Sequence, residues 1–157
     1  MPESFIVRPA VETDRAAWAP LWDGYNAFYG RSGITALPAE TTRTTWARFM
    51  SPEEPMHALV AEGPHGLLGL AHYLFHRSTI QLGHSCYLQD LYTVEAARGR
   101  GVARALIEDV YRRAAGQGAP RVYWQTHESN TVAMQLYDRV AEKSGFVVYR
   151  KTIVPVG

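Results

Sequence analysis

A chain of 157 residues with 46% apolar and 20% charged side chains can bury one core and is too apolar for a disordered segment. Its 16 basic and 15 acidic residues leave a formal charge of +1, which argues against nucleic-acid binding through a strongly basic surface and gives no general field for polycations. The single cysteine, Cys86, excludes an intrachain disulfide and fits a reducing cytoplasm. The start MPESFIVRPA lacks a signal-peptide pattern, and the nearly apolar run Leu67 to Phe75 is too short to span a bilayer.

Phe5 to Arg8 reads as an opening strand. Thr13 or Asp14 can cap the helix that follows, where Trp18, Trp22, Tyr25 and Tyr29 repeat at helical spacing. Pro20 removes a backbone donor, which predicts a kink or split there. A second helix is expected from about Glu40 to Met50, centred on Trp46 and ended by the Ser-Pro-Glu-Glu-Pro stretch. Strands at His57–Glu62 and Leu67–His76 follow, joined by the turn signal Gly63-Pro64-His65-Gly66. A strand near Ser85–Val94 leads into a loop and a helix from about Gly101 to Ala115. Beyond Pro120 come a strand at Arg121–Gln125, a helix near Asn130–Lys143 and a last strand near Phe146–Val154. The order predicts one α/β domain over residues 1–157, a mixed sheet covered by helices on both faces.

The segment Arg98-Gly99-Arg100-Gly101-Val102-Ala103-Arg104 stands between a strand and an amphipathic helix. The first turn of a helix leaves backbone N–H groups without intrahelical acceptors, and glycines without a Cβ let an anion approach the chain closely. Each hydrogen bond to a charged group contributes about 1.5–3 kcal/mol, more than the roughly 0.3–1 kcal/mol of the helix dipole. Converging amides therefore suit a diphosphate. Neither GxxxxGK[ST] nor GxGxxG occurs here. A plain solvated helix start with glycines used only for a turn satisfies the pattern equally well.

Arg98-Gly-Arg-Gly101-Val-Ala103 resembles the [Q/R]xxGx[G/A] signature of the GNAT N-acetyltransferase superfamily. The later segment VYWQT, Asn130, Ala133, Leu136-Tyr137 and SGFVVYRK is similar to the branch that includes histone and polyamine acetyltransferases. The resemblance implies a mostly antiparallel mixed sheet of six to seven strands with about four helices, acetyl-CoA as co-substrate, an amine acceptor and a homodimer. It implies that the amides from Gly99 through Val102 and Ala103, with Arg98, Arg100 and Arg104, hold the pyrophosphate. It implies too that the backbone of Leu91 to Val94, at Tyr92 and Val94 above all and with Thr93 between them, pairs with the pantetheine arm. Asn130 would bond the pantetheine or the loop, and Tyr137 would protonate the departing thiolate. Asn130 can equally be a helix N-cap, and Tyr137 a core tyrosine with a surface hydroxyl. Seven residues, Asp138 to Ser144, separate Tyr137 from Gly145-Phe146, more than in many relatives.

In polyamine-acetylating relatives a Leu-Glu-Asp-Leu segment supplies a glutamate base, whereas here the run is Leu88-Gln89-Asp90-Leu91. Gln89 cannot take a proton and reads as a tuning position. Asp90 faces the other way unless a bulge turns it, so the base is a water chain, Asp90 in a bulge, or none. Trp22, Tyr25 and Tyr29 are candidates for binding the acceptor, although helical aromatic stripes commonly serve as core. Six histidines include His72 and His76 on one strand face, with no pattern that completes a metal site. Cys86 reads as a buried apolar-like side chain. The sequence thus points to transfer of an acetyl group to a small amine, a polyamine or a lysine side chain. The alternative is a coenzyme-binding regulatory module with little turnover.

Overall fold

The computed structural model describes residues 4–155, which fall into two compact units divided after Gln125. The first holds strands β1 (Ile6–Pro9), β2 (Met56–Gly63), β3 (Gly66–His76), β4 (Ser85–Thr93) and β5 (Val122–Tyr123), with helices α1 (Arg15–Phe28), α2 (Ala39–Met50) and α3 (Val102–Gly116). The sheet order is β1-β2-β3-β4-β5, antiparallel except for the parallel β4–β5 pair. The second unit contains helix α4 (Thr131–Val140).

α1 and α2 pack on one face of the sheet. Trp18 and Trp46 are essentially fully buried, with ring centroids 4.8 Å apart, and Leu21, Trp22, Tyr25 and Leu70 complete the cluster. α3 covers the other face through Val102, Leu106, Ile107 and Val110. Both faces of β2, β3 and β4 are therefore buried, which explains why these strands read as nearly continuous apolar runs.

α1 is a single helix with Pro20 inside it, so of the kink or split expected there the split does not occur. Proline costs about 3 kcal/mol in a helix interior. Burial of Trp18, Leu21, Trp22 and Tyr25 contributes about 1.5–3 kcal/mol each, which outweighs it. Asp14 stands at the N-cap position without capping. Its carboxylate instead accepts the Val11 N–H at 2.8 Å and pairs with the Arg8 guanidinium at 2.7 and 2.8 Å.

Five strands are present among the described residues, fewer than the six to seven expected. The missing strand is the one expected at Phe146–Val154, where Phe146, Val147, Val148 and Tyr149 are exposed and form no ladder. High β-propensity specifies a side chain that packs well on a sheet, and without a paired neighbour it makes no strand. The fifth strand is likewise shorter than expected, and α4 ends at Val140 rather than Lys143. Among the described residues no helix is long and apolar enough to cross a membrane.

Candidate active site

β4 organises the site. Its pairing with β3 shifts register, so that Asp90 lies opposite His72 and Leu88 opposite Tyr73, leaving Gln89 as the extra residue. Residues paired across a ladder share a face. Leu88 therefore joins Tyr73 on the α3 side, while Asp90 joins His72 on the α1 side. Strict alternation would have placed Leu88 and Asp90 together. The bulge at Gln89 is thus the device that turns Asp90 into the aromatic cluster, while Gln89 itself is exposed.

Asp90 is 8% exposed there and belongs to a chain of hydrogen bonds. The Trp18 indole N–H donates to His72 Nε2 at 3.0 Å, and His72 Nδ1 lies 2.9 Å from Asp90 Oδ2. An indole can only donate, so Nε2 must be the acceptor and the imidazole proton sits on Nδ1, directed at Asp90. The imidazole is thereby fixed between the Trp18 indole and the Asp90 carboxylate. The Tyr25 hydroxyl approaches the Gln89 carbonyl at 3.5 Å. Burial first, and then the charge of Asp90, push that phenol well above its ordinary range, so it stays a protonated donor.

The sequence points to Trp22, Tyr25 and Tyr29 as candidates for the acceptor side. Trp22 and Tyr25 are buried, with rings stacked at 5.4 Å, and Trp22 also stacks on Trp18 at 5.7 Å. Tyr29 lies at the surface, 5.0 Å from Tyr25. The contribution of Trp18 and His72 was missed. The available signal was a histidine in the middle of an apolar strand, since a buried polar group requires partners.

β4 and β5 pair over only two positions, Cys86↔Val122 and Tyr87↔Tyr123. Beyond Tyr87, no described strand pairs with that edge of β4, which there carries Leu91, Tyr92 and Thr93. The chain then passes Val94 and Arg98 into the glycine loop. Gly99 and Gly101 take left-handed φ values of 81° and 82°, and Gly101 is the N-cap of α3. The helical ladder begins with the Ala105 N–H bonding the Gly101 carbonyl at 3.0 Å. The amides of Val102, Ala103 and Arg104 precede it and lack intrahelical acceptors. The first turn of α3 carries no acidic residue to compete for them. Arg98 and Arg100 are exposed in the loop, Arg98 Nε donating to the Thr93 carbonyl at 3.4 Å, and Arg104 Nε donates to Glu108 at 2.9 Å.

In the second unit Asn130 occupies the N-cap position of α4 without a side-chain cap bond; its amide donates to Thr126 Oγ1 at 3.3 Å. Tyr137 lies seven residues further on, half-buried. Cys86 is fully buried, which pushes its thiol up to about 12 and removes it from consideration as a nucleophile. No group of three or more His, Cys, Asp or Glu among the described residues is placed to hold a metal ion.

β4 thus carries a bulge at Gln89, pairs with its parallel neighbour over only two positions and leads into a helix capped by Gly101. The aminoglycoside N-acetyltransferase AAC(6')-Iy, solved in complex with CoA, superposes with a TM-score of 0.81 over 97% of both chains at 15% identity. A probable acetyltransferase superposes with the same score over 96% of this chain and 99% of its own, at 24% identity. The model of the acetyltransferase (GNAT) family matches residues 18–141. The D-amino-acid N-acetyltransferase HPA3 of Saccharomyces cerevisiae is 38% identical over 95% of this chain and 91% of its own. The uncharacterized N-acetyltransferase YhfO of Bacillus subtilis is 30% identical over 91% and 94%. The chain belongs to the acetyltransferase (GNAT) family and is an acetyl-CoA-dependent N-acetyltransferase.

Proposed function

We propose that this enzyme acetylates the primary amine of a small molecule by direct attack on the thioester, with its donor and acceptor groups arranged along β4. The observation that carries this reading is the continuity of the strand. The bulge at Gln89 brings Asp90 to the aromatic face, and the same strand then presents Leu91–Val94 and the loop amides. The backbone of Leu91, Tyr92, Thr93 and Val94 holds the pantetheine arm as an added strand would. The amides of Gly99 to Arg104, with Arg98 and Arg100, hold the pyrophosphate; Arg104 contributes through its amide, its side chain being tied to Glu108.

An alkyl amine with an ordinary pKa of about 10.4 must lose a proton at a cost of about 4–5 kcal/mol at neutral pH before it can attack. A placed base contributes about 10²–10⁴-fold. Asp90 is the group we assign to receive that proton, either from the amine or through water beside Gln89. Gln89 orients the acceptor without taking a proton, and Tyr137 gives a proton to the leaving thiolate. Asn130 binds the donor. Tyr25 and Tyr29 border the acceptor, and Trp22 supports Tyr25 from behind.

The family match runs from residue 18 to residue 141 and so crosses the division between the two units, which supports one catalytic domain. A homodimer and a cytoplasmic location complete the reading, the latter supported by the lone reduced cysteine. The yeast relative is named for D-amino acids and other relatives by fold for aminoglycosides, which supports a small-molecule amine without choosing between a zwitterion and a polyamine. The histone and polyamine branch is the second reading, supported by the LQDLY run and the aromatic α1.

The test is release of free thiol from acetyl-CoA across a panel of amines. Tyr137→Phe should lower kcat on the order of 100-fold while coenzyme affinity stays within a few-fold. Coenzyme binding with no release on any amine would instead leave a regulatory module.

A further inference from the structure

α1 ends in a way that returns the chain over its own last turn. Gly30 takes a left-handed φ of 78°; its N–H bonds the Ala27 carbonyl at 3.0 Å and the Arg31 N–H bonds the Asn26 carbonyl at 2.9 Å. This is a Schellman closure, in which a glycine is needed for the left-handed residue. It delivers Arg31 back beside Tyr25 and Tyr29. The Arg31 guanidinium lies 5.9 Å from the Tyr25 ring centre and 5.5 Å from that of Tyr29. Its Nε donates to Asn26 Oδ1 at 2.7 Å. Asn26 is 4% exposed, and its Nδ2 is committed to the Trp22 carbonyl at 2.8 Å, so the oxygen offered to Arg31 is fixed.

One edge of the guanidinium is thus pinned by a buried amide and its flank by two rings. No carboxylate among the described residues pairs with its two terminal nitrogens. A guanidinium held in one orientation with its terminal nitrogens available is suited to bidentate recognition of a carboxylate. Tyr25 also links this cation to the proposed acceptor site. Its hydroxyl is at the Gln89 carbonyl and feels the charge of Asp90, while its ring is flanked by Arg31. A negative end and a positive flank are therefore set apart by the length of one side chain.

We propose that Arg31 binds the carboxylate of the acceptor, whose ammonium lies toward Asp90 and the Gln89 carbonyl, and that the acceptor class is the free α-amino acid. This rests on the reading that the enzyme acetylates a small-molecule amine, and it selects among such amines. A polyamine or an aminoglycoside would set positive charge against Arg31 and gain nothing from it.

The experiment compares amino acids, alanine and phenylalanine in both enantiomers, with their decarboxylated counterparts, ethylamine and phenethylamine. The wild type should favour the amino acid on the order of 100-fold in kcat/KM, mostly through KM, the range expected of a paired charged contact. Arg31→Gln should collapse that ratio toward one, and Arg31→Lys should restore part of it as a point charge without the fork. A wild type that prefers the decarboxylated amines, or an Arg31→Gln enzyme with an undiminished ratio, overturns the assignment. Calorimetric binding of the same amino acids in the presence of CoA separates the two readings. Binding lost in Arg31→Gln without any turnover supports Arg31 and defeats amine transfer. Turnover of amino acids that is indifferent to Arg31 does the reverse.

Discussion

The two ends of β4 make sites of different material. At its C-terminal end the proposed donor site is backbone: a strand edge without a partner strand among the described residues, two left-handed glycines and the amides that open α3. Around its bulge the proposed acceptor side is made of side chains brought from α1, β3 and β4, in which Trp18 fixes His72, His72 faces Asp90 and Asn26 fixes Arg31. A backbone site depends on conformation and tolerates varied side chains around it. A side-chain site depends on each member being held by the next, so a single deletion leaves a buried group unpaired.

The largest expected effect tests the acceptor side alone. Asp90→Asn keeps the size and removes the charge, and should lower kcat on the order of 100-fold or more at saturating acetyl-CoA. The coenzyme dissociation constant, measured by calorimetry, should stay within about two-fold if the two ends are separable in this way. A parallel loss of coenzyme binding would break the comparison.

Gly101→Ala tests the other end. Apart from its chain neighbours, no atom of the described residues lies within 4 Å of a Cβ built at this position, so the effect comes from the left-handed φ of 82° and not from a clash. Forcing a residue with a Cβ into that region costs about 1–2 kcal/mol. The amides should lose alignment and weaken coenzyme binding about ten-fold, with the preference among amines unchanged. A change in that preference would show that the loop also shapes the acceptor site.

The smallest effect is on the scaffold. Trp18→Phe keeps an aromatic ring but removes the N–H that His72 Nε2 accepts. An orphaned buried acceptor costs about 1–3 kcal/mol, which denaturant unfolding will read as a lowered midpoint at unchanged slope. Because the tautomer of His72 is then no longer fixed, kcat should also fall. A lowered midpoint with an unaltered kcat would make the Trp18–His72 bond purely structural.

Legibility in the sequence followed this division. The glycine loop could be read directly, because left-handed turns and helix starts announce themselves through Gly99 and Gly101. The order of strands and helices up to α4 could also be read, since apolar periodicity is a local property. Asp90 could be named as a candidate but not oriented: the choice between the two faces of β4 depended on one unpaired residue, Gln89, and a bulge is a relation between two strands. The role of His72 was hidden for the same reason, since its partners Trp18 and Asp90 are 54 and 18 residues away.

The sequence by itself therefore determined the family, the co-substrate and the glycine loop that opens α3, all of which depend on short runs of residue types. It also contained a strand-like run at Phe146–Val154, for which β-propensity was legible and a ladder partner was not. Only the tertiary structure decided which carboxylate enters the aromatic face, which tautomer His72 holds and where Arg31 points. Each of these is fixed by contacts between distant segments, and local sequence carries no record of the register that brings them together.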